Sequence, residues 1–289
     1  MHLQAERIYS LSSKLTPIST GVTPELHSMK GIKACIFDLY GTLFISGSGD
    51  ISLANGIDRE QSLRMVLKKH GITPTKEFLW DYFQSLIVQS QEAEKAKGTD
   101  YPEVEIREIW EKFLAGMGVK GCLHSHIESI AIDYECMANP VYSMPSLSEA
   151  LKSLRDKGML LGIVSNAQFF TPHLFEAFTG KTAQEHGFSK ELCIYSYELR
   201  TGKPSPEIYQ PLVKNLKAKG IVPEEAIFVG NDMRNDIWPA QASGLKGVLF
   251  AGDKRSLRLR TEDPRSERQR PDSVITDLNQ LIHLVDKKT

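Results

Sequence analysis

Phe37-Asp38-Leu39-Tyr40-Gly41-Thr42-Leu43 continues directly from the run Lys33-Ala34-Cys35-Ile36-Phe37, and this junction decides how the chain is read. A short, continuously apolar run reads as a strand buried on both faces, the habit of parallel sheets. Further strand candidates lie at 160–164, 192–195, 226–229, 247–250 and 273–275, with helical patterns near 147–157, 205–218, 236–243 and 277–285. This alternation predicts an α/β fold, a Rossmann-like three-layer core with a mainly parallel sheet. Right-handed crossovers line the strand C-termini along one edge, where open α/β sheets form ligand sites. Asp38 stands at that edge.

The span 46–144 is too long for a simple crossover. It carries helical patterns near 57–69, 75–90, 103–115 and 124–138 and almost nothing strand-like. Ser46-Gly47-Ser48-Gly49 and the stretch from Asn139-Pro140 to Pro145 punctuate its borders and offer hinge points. The expected organisation is a lead-in at 1–30, a core made of 31–45 and 145–289, and an inserted all-helical cap domain at 46–144. The alternative is that these helices elaborate one face of a single domain. Pro17, Gly21 and Pro24 mark the lead-in as irregular.

Composition narrows the function classes. A net charge of −1 gives no global attraction to nucleic acid or acidic membranes. Four cysteines, at 35, 122, 136 and 193, are too scattered for a disulfide scaffold or a four-thiolate zinc site. No apolar run reaches 18 residues, and the start lacks a basic-then-apolar pattern, so the expected location is cytoplasmic, with no membrane partner. The tract 254–270, with seven basic and three acidic residues, reads as a solvated loop or, alternatively, as an anion-binding or dimer-contact loop. It lacks interleaved aromatics, so nucleic acid is not an expected partner. His124 and His126 are poorly spaced to share a metal on a helix.

Four polar clusters fall at the catalytic edge: Asp38 to Thr42, Ser165-Asn166, Gly202-Lys203-Pro204, and Gly230-Asn231-Asp232 with Asn235-Asp236. A carboxylate nucleophile needs positive, hydrogen-bonding surroundings, because the attacked group gathers negative charge. Asp38 can attack phosphorus or an electrophilic carbon, with Thr42, Ser165 and nearby amides orienting substrate oxygens. Lys203 neutralises charge, Asp236 holds Mg²⁺ or positions water, and Asn231 offers a neutral oxygen ligand. Asn166 follows Ser165 at the same strand end and belongs to the candidate catalytic set.

Taken in order, FDLYGTLF, VSNA, TGKPSPEIY and VGNDMRND resemble the four motifs of the haloacid dehalogenase superfamily, and the insertion resembles the cap of its first cap class. The resemblance covers roughly 31–285. It implies a hydrolase acting on a small anionic substrate, as a monomer or homodimer, with Asp38 as nucleophile, Ser165 on the bound anionic group, Lys203 stabilising charge and Asp236 in the acidic fourth motif. Family phosphatases usually carry an acid–base Asp two residues after the nucleophile; here Tyr40 stands there, and a phenol is a poor proton shuttle at neutral pH. Its backbone carbonyl can still ligate Mg²⁺.

Asp-x-Tyr-Gly-Thr looks like the dehalogenating members, whose halide leaves without a proton. The Asn expected in their fourth motif is Met233 here, and their early-cap Arg has only Arg64 and Lys69 as neighbours. Further cap residues that could face a ligand are Lys68, Trp80, Tyr101 and Trp110. The fourth motif instead looks like the phosphatase type with its first acid changed to Asn231, for which an inward-turned Asp232 could compensate. The reading ranked first is a Mg²⁺-dependent phosphatase, with Asp38, Tyr40, Asn231 and Asp236 as ligands of a weakly held ion. The alternatives are an (S)-2-haloacid dehalogenase-type hydrolase without metal and a catalytically impaired binding protein.

Overall fold

A computed structural model describes residues 2–47, 58–119 and 121–285. β1 (Ala34–Phe37) is buried along its whole length, as its apolar sequence requires. Just beyond it, β2 (Phe44–Ser46) pairs antiparallel with β3 (Val141–Ser143), so the insertion leaves and rejoins the core through a two-stranded ribbon. The remaining strands are β4 (Leu160–Ser165), β5 (Phe188–Tyr195), β6 (Ala226–Gly230), β7 (Lys246–Phe250) and β8 (Ser273–Ile275). They join β1 in a parallel sheet of order β5-β4-β1-β6-β7-β8, six strands among the described residues. Phe37 is in register with Ile163 on one side and Val229 on the other. Asp38, Ser165 and Asn231 are thereby brought to neighbouring positions at one edge.

The chain enters through α1 (Leu3–Leu11), where an irregular lead-in was expected. Its own sequence signal is weak, since only Ala5 and Ile8 are buried, so packing decides it. The insertion holds α2 (Arg59–Lys69), α3 (Leu79–Lys95), α4 (Ile106–Gly116) and α5 (His124–Ala138). Asp58 caps α2 by accepting from Gln61 N at 2.9 Å. Leu63, Val66 and Leu67 recur at helical spacing on its buried face. Phe83, Trp110, Phe113 and Tyr134 form an aromatic cluster joining α3, α4 and α5, with Phe83 and Trp110 centroids 4.8 Å apart.

The core adds α6 (Leu147–Asp156), α7 (His173–Thr179), a single turn α8 (Ser196–Leu199), α9 (Gln210–Ala218) and α10 (Trp238–Ala242). A 3-10 turn, Pro206–Tyr209, precedes α9, a π-helical turn, Met233–Ile237, precedes α10, and the helix expected near the C-terminal end is a 3-10 segment, Leu278–His283. No helix among the described residues is long and apolar enough to cross a membrane.

The hinge points differ from expectation. Ser48 and Gly49 lie outside the described residues, while Ser46 is buried and donates to Asn139 Oδ1 at 2.8 Å. Gly47 N donates to Pro140 O at 2.7 Å. The two connections are thus tied to each other. α1 adds a second tie: His2 N donates to Glu176 on α7, while Arg7 grips Asp133 on α5 with two bonds of 2.6 and 2.7 Å. Asp133 also accepts from Lys69 and His70, at 2.9 and 2.8 Å. His70 in turn meets His126 at 2.9 Å, so His126 belongs to this junction, while His124 pairs with Glu128.

Asp133 is buried, whereas Arg7 and Lys69 are partly exposed and can rehydrate. Asp133→Ala is therefore expected to lower stability by roughly 2 kcal/mol, the scale of a lost charge-assisted hydrogen-bond set, rather than by the larger penalty of a stranded buried charge. Urea unfolding followed by tryptophan fluorescence checks this; an unchanged midpoint would show that α1 does not anchor the insertion.

Candidate active site

Asp38 leaves β1 with its backbone N–H on Val229 O at 2.9 Å, continuing the parallel ladder. The chain then turns sharply: Leu39 O accepts from Thr42, Leu43 and Phe44 N. Gly41 sits in this turn at φ +81°, and a Cβ there would meet Ser256 Cβ at 2.5 Å and the Asn231 amide at 2.9 Å. Both the left-handed backbone and the close approach require glycine.

The buried Asp38 carboxylate is held through Oδ1, which accepts from Ser165 Oγ at 2.9 Å and Lys203 Nζ at 2.6 Å. Oδ2 has no hydrogen-bond partner among the described residues, and Asp38 lines a cavity of about 620 Å³ between the sheet edge and the insertion. Lys203 also donates to Asp236 Oδ1 at 2.6 Å. Burial works against its charge, but Asp236 and Asp38 outweigh it and hold the ammonium above its ordinary pKa. Asp236 Oδ2 accepts from the backbone N–H of Asn231 and Asp232, at 3.0 and 2.9 Å. Burial pushes its carboxyl up, against the pull of Lys203. Gly230 makes room for this packing, since a Cβ would lie 2.4 Å from Asp236 Cβ.

Several expected roles change. Thr42 Oγ1 donates to Asn231 Oδ1 at 3.1 Å and is fully buried, so it positions Asn231 and does not orient substrate. Asn166 grips the Lys203 backbone, accepting from its N–H at 2.7 Å and donating to its carbonyl at 3.1 Å. Asp232 has both carboxylate oxygens engaged, capping the following turn and pairing with Arg260 at 2.7 Å, so neither is left to compensate for Asn231. The Tyr40 hydroxyl bonds to Thr171 Oγ1 at 3.0 Å. Burial, and after it the nearby Glu135, raises its pKa well above the ordinary range. That phenol is no acid–base group at neutral pH.

The basic tract divides: 261–270 is mostly exposed, as a solvated loop would be, while 256–260 is bonded to the fourth motif. Ser256 O accepts from Asn231 Nδ2 at 2.6 Å, Arg258 N donates to Asn231 O at 3.0 Å, and Arg260 anchors Asp232. It frames the fourth motif, a role that charge counting could not reveal. Of the insertion residues named from sequence, Trp80 and Trp110 line the cavity. Arg64 instead pairs with Glu60, Lys69 with Asp133, and Tyr101 is exposed; Arg64, Lys68, Lys69 and Tyr101 do not line it. Arg59, Glu103, Tyr134 and Glu135 do, and sequence reasoning missed them because neither helical periodicity nor a loop position marks which side chains face a cavity.

The donor set for a divalent cation is sparse. Among the described residues, no cluster of three or more His, Cys, Asp or Glu side chains has metal-binding geometry. Both Asp236 oxygens are engaged, and the Asn231 amide is used at both ends. Asp38 Oδ2 and the Tyr40 carbonyl remain without a donor among the described residues. One carboxylate and one carbonyl, supplemented by the Asn231 oxygen, fit a hard ion that keeps most of its water, as Mg²⁺ does.

Comparison with known proteins places this geometry. Residues 32–244 match the profile of the haloacid dehalogenase-like hydrolases. A phosphoserine phosphatase of Thermus thermophilus is 30% identical over 143 residues, which are half of this chain and half of that protein. A glyceraldehyde 3-phosphate phosphatase of Methanopyrus kandleri is 24% identical across 88% of this chain and 97% of its own length. An (S)-2-haloacid dehalogenase of Pseudomonas is 31% identical over 47% of this chain and 53% of that protein. Among solved structures, a 2-haloacid dehalogenase of Pseudomonas syringae superposes with a TM-score of 0.55 at 22% identity, covering 88% of this chain and 97% of that one, which bears on fold alone. With the profile running from just before β1 to just past α10, the chain belongs to the haloacid dehalogenase-like hydrolases.

Proposed function

We propose that this hydrolase cleaves a small phosphate monoester, with Asp38 as nucleophile and Mg²⁺ as cofactor. The observation that carries the reading is the state of Asp38: its side chain lines the cavity, with one oxygen pinned by Ser165 and Lys203 and the other without a hydrogen-bond partner among the described residues. Oδ2 attacks phosphorus in line with the departing oxygen, and an aspartyl phosphate forms. Water then attacks the same phosphorus, the Asp38–phosphate bond breaks, and the carboxylate returns. Lys203 holds the nucleophile in place through both steps, and Asn166 fixes the lysine through its backbone.

Charge argues for the metal. Asp38, Asp236 and Lys203 sum to −1 (two carboxylates and one ammonium), which repels a phosphate dianion in a water-poor site. The Tyr40 carbonyl and the Asp38 carboxylate, with Asn231 and Asp236 acting directly or through water, would hold Mg²⁺, which would supply the missing positive charge. Across nearly their whole lengths, the Methanopyrus relative and a phosphoglycolate phosphatase of Photorhabdus laumondii support a phosphate ester over a haloacid. The division into a core and a cap at 46–144, with the cap closing the cavity and excluding bulk water, is part of the same proposal. A second reading, carbon attack on a 2-haloacid, draws on the Tyr40–Thr171 bond, which leaves position 40 without a proton donor, and needs no metal.

Asp38→Asn is expected to reduce phosphate release by at least about 1,000-fold while leaving the urea midpoint nearly unchanged, because no anionic nucleophile remains. Near-wild-type turnover by the folded variant would remove Asp38 from the covalent role.

Dialysis against chelator is expected to abolish phosphate release, and added Mg²⁺ to restore it. Asn231→Asp should lower the Mg²⁺ concentration needed. It should also reduce stability by about 1–2 kcal/mol, since a carboxylate oxygen would face the Ser256 carbonyl where Nδ2 now donates. Full activity on a 2-haloacid in metal-stripped protein, with no phosphate released at any Mg²⁺ level, would reverse the ranking.

A further inference from the structure

A phosphate ester of an ordinary alcohol needs a proton on its departing oxygen, and position 40 supplies none. The remaining carboxyls on the cavity wall differ in how they are held. Asp232 is paired with Arg260, and Asp236 is bound by Lys203 and two backbone amides. Glu103 accepts from Val104 N at 2.9 Å, Ser196 Oγ at 3.1 Å and Gln168 Nε2 at 3.4 Å; burial raises its carboxyl against these donors, which nevertheless occupy its oxygens. Glu135 accepts from Asn139 Nδ2 at the long distance of 3.4 Å. It is densely surrounded by protein yet keeps accessible surface, because it lines the cavity that also holds Asp38. Glu135 and, more weakly, Asp38 both disfavour the ionisation of Tyr40.

We propose that Glu135, carried into the cavity by α5, is the acid–base group of this reaction, in the role that the residue at 40 cannot fill. The inference rests on the phosphate-ester reading. In the first step Asp38 Oδ2 forms a bond to phosphorus, the bond from phosphorus to the ester oxygen breaks, and the protonated Glu135 carboxyl gives its proton to that oxygen, releasing an alcohol. In the second step the Glu135 carboxylate takes a proton from water as the water oxygen bonds to phosphorus and Asp38 departs. The sum is ester plus water giving alcohol plus phosphate, and Glu135 returns to its starting form.

The surroundings suit this exchange. Burial raises the Glu135 carboxyl to about 7, with the Asn139 bond and the Arg59 charge opposing the rise, so both forms are populated at neutral pH. The charged and titratable neighbours are Arg59 at the start of α2, Tyr40, and Tyr134 and Cys136 on its own helix. On the side toward α1 and α7 the wall is Ile8, Ser12, Phe170 and Leu174, none of them ionisable.

Glu135→Gln keeps the shape and removes the proton, and leaving-group chemistry separates its catalytic role from a structural one. Phenyl phosphate and p-nitrophenyl phosphate are compared, because nitrophenolate departs without protonation. With phenyl phosphate the variant should lose about 100-fold or more in turnover. With p-nitrophenyl phosphate it should release a rapid burst of one nitrophenolate per enzyme and then stall, since phosphoenzyme hydrolysis still lacks its base. In the wild type, kcat/KM for phenyl phosphate should fall as pH rises through about 7, because the donor form is the protonated one. Equal losses on both substrates without a burst, unchanged activity on both, or a wild-type profile flat across that range would overturn the assignment while leaving Asp38 in place. A wild type that releases phosphate from neither ester would overturn the phosphate-ester reading and this inference together.

Discussion

The ammonium of Lys203, lodged between Asp38 and Asp236, is the contact on which the rest of the site depends. Three charged side chains lie in one place with 4%, 8% and 2% of their surfaces exposed. Taking each out of water costs several kcal/mol, and the arrangement persists because every charge has an opposite neighbour at 2.6 Å and further hydrogen bonds. It also ties the end of β1, the segment before α9 and the turn after β6 into one unit. Asp236 spends its second oxygen on the amides of Asn231 and Asp232, so the lysine indirectly sets the course of the fourth motif. Removing Lys203 would leave two buried carboxylates without their shared cation.

Much of this was legible in the sequence, for identifiable reasons. A parallel sheet buried on both faces writes itself as apolar runs, and β1, β4, β6, β7 and β8 lie close to where those runs are, while β5 begins four residues earlier, at Phe188. The meeting of Asp38, Ser165, Lys203 and Asp236 follows from strand ends sharing one edge. Contacts governed by side-chain direction were not legible. Thr42 was expected on the substrate and bonds to Asn231, and Asp232, which could have compensated for Asn231 only if turned inward, pairs with Arg260. Elements too short for a periodic signal, β2, β3 and α7, were missed, and α1 is settled by the Arg7–Asp133 contact rather than by propensity.

The insertion supplies what the core lacks. The core edge offers the proposed nucleophile Asp38, its ammonium partner and a sparse donor set for a hard cation, while the phenol at position 40 is committed to Thr171. The helices add an aromatic wall through Trp80, Phe83, Trp110 and Tyr134, together with Arg59 and Glu135. α1 and the β2–β3 ribbon hold this wall to the core at two places, so any movement of the insertion must carry Asp133 and Arg7 with it or break them apart.

The central claim is that Asp38 attacks phosphorus and that water later attacks the same atom. A single turnover in H2-18O, with mass analysis of both the released phosphate and the peptide containing Asp38, tests it most directly. The account predicts one heavy oxygen in the phosphate and none in the Asp38 carboxyl. Heavy oxygen in Asp38, which arises when water attacks the carboxyl carbon of an ester intermediate formed by attack on carbon, would contradict it.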